Sequence, residues 1–378
     1  MNGSRTTVYV LLAVTALAAI TGRIAHVELL FEPSFYPTPG GSQWPATRPT
    51  PMPTLSSNDR SRWCAVRALV DEGTWVIGRR DSALASKGNQ YGDTGIVFED
   101  GWKTVDKVLK PGTGEFYSSK PPLLTVAVAA EYWLLKNLLG WRITTHTNHV
   151  VRTVLFTFNV VPFALFLWML KVLLERYAAS DWTKLFVFAA ACHGTFINTF
   201  CITLNNHTLG AFTALAAIFP LLNRPANEKL LFGRLPVPEP PAAWGIALSG
   251  LFAGLTASLE LPGLALAAGI FTILVIRSPI KTLALYLPLA LAPLVLQQVI
   301  NYIAIGQWEP VYAKVESEWY RYPGSHWFVA QGQIKHGIDW AWQHESRLAY
   351  AFHLLIGHHG LFSLTPIWLL AFAGMIVA

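Results

Sequence analysis

Apolar residues gather along this chain in blocks of roughly membrane-spanning length, parted by stretches dense in proline, tryptophan and charge. The first block runs from Thr7 to His26, and others follow at 123–140, 152–174, 184–204, 208–222, 242–259, 261–276, 282–305 and 360–378. Two long polar segments, 27–122 and 306–359, interrupt them. The pattern predicts a signal-anchor helix at 1–26, a first outer loop at 27–122 and a helical bundle at 123–305. A second outer loop at 306–359 and a last helix at 360–378 follow. That helix has no flanking charge, and the chain is expected to continue beyond it. No internal repeat is visible.

The first loop opens with prolines spread from Pro33 to Pro53. Beyond them, "NDRSRWCAVRALVDEGTWVI" places Trp63, Val66, Leu69 and Val70 at helical spacing, with Asn58 or Asp59 as the natural N-cap. A short amphipathic helix on the membrane surface is expected there.

Charge decides how the blocks thread. If 123–140 is a full crossing, the loop with Lys171, Arg176 and Lys184 and the loop with Arg224, Lys229 and Arg234 both fall outside, against the positive-inside rule. If 123–140 lies along the interface or dips and returns, both loops are cytoplasmic, and so is the Arg277/Lys281 turn. Glu131 and Lys136 within the block argue the same way. The second threading is adopted. It brings Asp59, Lys120, Arg152, Asn205, Asn206, His207, Glu260 and the loop 306–359 to one non-cytoplasmic face.

The composition agrees. Of 378 residues, 53% are hydrophobic and 13% charged, about half the charged share of a soluble domain. The class is an all-α polytopic membrane protein. The net charge of +6 is scattered between apolar blocks, which suits topology signals and contact with membrane lipids rather than nucleic acid. Cys64, Cys192 and Cys201 form no disulfide framework.

Candidate chemistry collects on the outer face. Lys120, in "SSKPPLL", stands before two prolines that fix the backbone where an apolar block begins. It reads either as a snorkelling interfacial lysine or, with Arg152, as a clamp for a lipid-linked phosphate. Pro121 and Pro122 hold it still. Glu260, between two apolar stretches, reads as a cavity residue that pairs with a cation or binds sugar hydroxyls. Asn205, Asn206 and His207 suggest the same cavity or a helix-ending turn, and Asn206 opens an Asn-His-Thr glycosylation sequon. His358 and His359 do not share a helix face, and no metal-ligand spacing accompanies them or His336, His344 and His353. They are read as contacts to acceptor or carrier. Trp308, Trp319, Trp327, Trp340 and Trp342 suggest an interfacial belt or stacking on sugar rings.

The order of signal anchor, outer loop with Asp59-Arg60-Ser61-Arg62-Trp63 and Gly73-Thr74-Trp75-Val76, then Lys120-Pro121-Pro122-Leu123, resembles the GT-C integral-membrane glycosyltransferases. Within them it is most similar to the protein O-mannosyltransferases and the bacterial aminoarabinose transferase of lipid A. The resemblance implies a multi-helix bundle whose large first outer loop carries short juxtamembrane helices. It implies transfer of a sugar from a polyprenyl-phosphate donor to a hydroxyl of a lipid, glycan or protein, at the outer face of a bacterial inner membrane. It also implies Asp59 as the catalytic carboxylate, Lys120 at the carrier phosphate, and Arg62 and Trp63 as motif residues. No cofactor beyond the donor is required, with a divalent metal kept as the lesser alternative. The sequence departs from the pattern at Arg60 and Ser119, where relatives carry acids, and at Asn205-Asn206-His207, where many place an Asp.

In the implied chemistry, Asp59 is the base for the acceptor while Lys120 and Arg152 stabilise the departing phosphate. Asp59 also reads as a helix N-cap. Two other classes stay open: a transporter or lipid-binding membrane protein whose path is lined by Lys120, Arg152 and Glu260, and an inactive relative of the transferases.

Overall fold

The computed structural model describes residues 2–29, 50–223, 226–231, 235–238, 241–313, 317–327, 346–358 and 360–377. The chain is mainly helical. Helix α1 (Asn2–His26) is followed, within the first loop, by α2 (Ser57–Arg67) and four short strands, β1 (Gly78–Arg80), β2 (Asp93–Thr94), β3 (Lys107–Leu109) and β4 (Glu115–Ser118). Then come α3 (Pro122–Leu139), α4 (Thr147–Tyr177), α5 (Asp181–His193) and α6 (Asn206–Leu222). A strand pair, β5 (Ala226–Leu231) with β6 (Leu235–Pro238), precedes α7 (Ala243–Leu259), α8 (Gly263–Arg277) and α9 (Pro279–Ile305). Helices α10 (Arg347–Leu355) and α11 (Ile367–Val377) come last. Among the described residues α1, α4 and α9 are long and apolar enough to cross a membrane; α6, α7, α8 and α11 are apolar but shorter.

Ion pairs and caps sort the bundle into two ends. Arg5, at the start of α1, binds Glu175 and Asp181 at the α4–α5 junction. At the other end of α1, Glu28 takes Arg152 of α4 at 2.8 Å. Arg23 donates to Asn198 O at 3.1 Å beyond α5. Tyr177 donates to Leu222 O at 2.8 Å, so α6 finishes beside the end of α4. One end, which holds Arg5, Arg176, Lys184, Arg277 and Lys281, is basic. The opposite end holds the long loops.

Helix α3 does not run from one end to the other. Its first turn follows Lys120, which pairs with Asp106, and its last turns return to the segment after α2: Tyr132 and Lys136 reach the Asp71 carboxylate at 2.9 and 2.7 Å. Both ends of α3 are fastened to the same layer, and the helix lies beside α2. Pro122 opens it and Gly140 closes it in the left-handed region, φ 70°.

Close backbone packing seats the α7 hairpin. A Cβ on Gly250 or Gly254 would meet the carbonyl oxygens of Tyr286 and Ala290 at 2.4 and 2.1 Å. The four-residue spacing lets α7 and α9 touch along their backbones.

Four expectations need correction. The chain is not all-α, since 78–118 in the first loop folds into an antiparallel sheet of order β2-β1-β4-β3. Its strands are two to four residues long, too short to show alternation. Helix α2 is capped by Ser56, whose side chain accepts from Asp59 N, not by Asn58 or Asp59. It is also no surface helix: Trp63 and Val66 are fully buried, and so are the polar Asp59, Ser61 and Arg62. The block 184–204 is not one helix. It breaks at Gly194, and the irregular backbone that follows is satisfied by the Asn159 amide, which donates to Cys201 O and Thr203 O.

Candidate functional site

At the loop end of the bundle a cavity of about 380 Å³ opens between α2, the start of α3, the first turn of α6 and the α7–α8 turn. That volume falls within the ~300–1,000 Å³ common for small-molecule sites. Arg62, Lys120, Asp106, Asn206, His207 and Glu260 supply its polar wall, and Tyr312, Tyr320 and Trp327 its aromatic one.

Lys120 arrives through a hairpin. Strands β3 and β4 turn at Gly112 and Gly114, both at positive φ, and the register pairs Lys107 with Ser118. One step further, Asp106 faces Ser119, and Lys120 Nζ comes to 2.8 Å from Asp106 Oδ1. Burial holds the Lys120 ammonium below its usual range, and the Asp106 carboxylate works against that. Pro121 lines the cavity and Pro122 starts α3, so the backbone that carries the lysine is fixed on both sides.

Arg62 is almost fully buried yet lines the cavity. Its guanidinium is held by Asn58 from its own helix and by Asn206 from α6. Among the described residues its Nε has no partner. Burial pushes Arg62 down to about 10, opposed by Asp59, Asp106 and Glu260. Two cations thus meet at one wall, from elements 58 positions apart in the chain.

Glu260 lines the same cavity and is linked to Arg62 through Asn206. It follows the last residue of α7 in extended backbone, φ −138°. Asn206 Nδ2 donates to Leu259 O at 2.7 Å and to Glu260 Oε1 at 2.5 Å. His207 Nδ1 stands 2.5 Å from the same oxygen. Gly210 makes room, since a Cβ there would lie 2.9 Å from Glu260 Cγ. Asn206 is therefore buried and committed, which leaves its sequon no exposed amide to modify.

The remaining candidates lie elsewhere. Asp59 is 1% exposed and does not line the cavity. Its two oxygens accept from Leu55 N at 2.9 Å and Leu204 N at 3.0 Å. Burial raises it to about 6 against those bonds and against Arg62. Arg152 is paired with Glu28 and is absent from the cavity wall. Asn205 caps α6, accepting from Thr208 N. Trp63 is core. His358 follows α10 and does not line the cavity; His336, His344, His359, Trp340 and Trp342 lie outside the described residues. Trp308 stacks on Tyr302, Trp319 packs against Tyr117, and Trp327 donates to Val105 O and lines the cavity.

Asp106 was missed by sequence reasoning. The signal was present in "DKVLKPGTGEFYSSK": a Pro-Gly-Thr-Gly turn between two short β-prone runs sets a register that carries Asp106 back to Lys120. Among the described residues no group of three or more His, Cys, Asp or Glu side chains gathers to hold a metal ion. Compared with known protein families, curated proteins and solved structures, the chain finds no match.

Proposed function

We propose that this chain is a polytopic membrane glycosyltransferase of GT-C type that takes a sugar from a polyprenyl-phosphate donor and passes it to a hydroxyl acceptor. The observation that carries the reading is the convergence of Lys120 and Arg62 on one cavity at the loop end of the bundle, which Glu260 and His207 also line. As the donor's phosphodiester is cleaved at the sugar carbon, the departing polyprenyl phosphate monoester gains negative charge on its oxygen, and two preorganised cations in a partly dehydrated wall stabilise that charge. Arg62 takes the place that the sequence suggested for Arg152. The helices long and apolar enough for a bilayer supply the surroundings a prenyl chain requires, and the aromatic wall of Tyr312, Tyr320 and Trp327 suits a sugar face. The base for the acceptor belongs to the cavity and not to Asp59, whose oxygens are both taken by backbone amides.

In this reading α3 stays on one side of the membrane and the cavity opens to the extracytoplasmic face. The two-ended sorting of charge supports it.

The test is transfer by the purified full chain in nanodiscs, using radiolabelled undecaprenyl-phosphate sugars with membrane lipid extract as acceptor. The expected result is label in the acceptor for the wild type and for Arg152→Ala, and none for Lys120→Ala at equal folded protein. Wild-type levels of transfer in Lys120→Ala would overturn the reading.

A further inference from the structure

We infer that His207, oriented by Glu260, is the general base that accepts the acceptor's proton; this rests on the transferase reading above. On the cavity wall His207 combines a ring nitrogen open to the space with a carboxylate, Glu260, held behind the ring. The Lys120 ammonium holds Asp106. Glu260 Oε1 is shared between Asn206 and His207. With Nδ1 of His207 turned to that carboxylate, Nδ1 carries the ring proton and Nε2 keeps its lone pair. Among the described residues Nε2 has no hydrogen-bond partner. The ring is 50% exposed by side chain, so a proton taken up there passes to water.

Several features over-determine the orientation. Asn206 pins Glu260 from the neighbouring position, Gly210 leaves space for its side chain, and Phe200 stands edge-on to the His207 ring at 5.8 Å between centroids. A carboxylate behind an imidazole fixes its tautomer and stabilises the imidazolium that forms.

The step balances. The acceptor hydroxyl gives its proton to His207 Nε2 as its oxygen bonds to the anomeric carbon. The bond from that carbon to the phosphate oxygen breaks, and its electron pair leaves with the polyprenyl phosphate, opposite Lys120 and Arg62. The imidazolium then releases its proton to water. Glu260 acts through His207 and is a positioning residue.

The experiment uses the full chain in nanodiscs. Undecaprenyl phosphate binding is measured first, for wild type, His207→Ala and Glu260→Gln. The expected result is binding within about threefold in all three, with transfer lowered 10²- to 10⁴-fold in His207→Ala. In the wild type the rate rises with pH along a limb set by loss of the imidazole proton. Glu260→Gln moves that limb to lower pH, and exogenous imidazole restores part of the rate of His207→Ala. A merely structural role for Glu260 lowers the rate without moving the limb. Arg62 from α2, Asp106 before β3 and Lys120 before α3 face the same space and are intact in both variants. Independently of donor identity, bound undecaprenyl phosphate slows carbethoxylation of His207 by diethyl pyrocarbonate at least about fivefold. Transfer in His207→Ala within threefold of wild type, or labelling of His207 unchanged by the carrier, overturns the assignment. Failure of the wild type to bind undecaprenyl phosphate overturns the transferase reading instead.

Discussion

Lys120 Nζ lies 2.8 Å from Asp106 Oδ1, and both side chains are largely buried, 17% and 10% exposed. The pair joins the end of one hairpin strand to the residue before the other, and it holds the lysine at the cavity wall with its charge balanced while no phosphate is bound. Removal of one partner strands the other in a poorly solvated place.

Lys120→Met is therefore expected to lower stability by about 2 kcal/mol, a figure reduced from the ~3–5 for fully buried pairs because some solvent reaches both groups. Adding Asp106→Asn restores most of the loss. Thermal unfolding in detergent of the two single variants and the double variant checks this; additive losses contradict it.

Asp59 gives a pH signature. Its folded-state value, about 6, lies above the ordinary 3.8. Stability from this group is then fully present below 3.8 and is lost as pH rises through about 6, by about 3 kcal/mol in all. The wild type melts at a lower temperature at pH 7 than at pH 4.5 through this term, and Asp59→Asn flattens the slope. Because Asp59 stands behind the wall, Asp59→Asn retains transfer within severalfold per folded molecule. Complete loss of transfer in well-folded Asp59→Asn restores it to the reaction.

Glycines separate packing from propensity. Gly254→Ala drives a Cβ against Ala290 O, a backbone atom that cannot move aside, and is expected to cost about 1–3 kcal/mol. Gly269→Ala, on α8 with nothing within 4 Å, is expected to be neutral or to stabilise by up to ~1 kcal/mol. Melting temperatures of the two variants give the comparison.

The sidedness of the bundle is open to labelling. All three native cysteines are buried, so introduced ones report alone. Lys87→Cys in the first loop and Leu138→Cys near the end of α3 are expected to react with an impermeant maleimide from one side of sealed vesicles. Ile280→Cys, in the first turn of α9, reacts from the other. Leu138→Cys reacting together with Ile280→Cys means that α3 crosses, and the outer cavity falls apart.

Much of the bundle was legible because apolar length carries the signal: α1, α4 and α9 stand where blocks of membrane-spanning size stood. The start of α3 followed from Pro121-Pro122, whose rings admit few alternatives. What was not legible depended on distant partners. Nothing near Arg152 announces Glu28, 124 positions earlier, and nothing near Asp59 announces the amide of Leu204. Those two residues invite a chemical reading in the sequence because a charge held by a distant structural partner and one facing a ligand share the same code letter. Arg62 was noticed as part of a motif, but its place beside Lys120 arises only when α6 delivers Asn206 to it.

The central claim is that Lys120 and Arg62 form a phosphate site, and the dissociation constant for undecaprenyl phosphate tests it most directly. Saturable binding by the wild type is predicted, weakened about 10- to 100-fold by Lys120→Ala, as loss of one charged hydrogen bond implies, and unchanged by Arg152→Ala. Equal binding by wild type and Lys120→Ala, or no saturable binding at all, contradicts it.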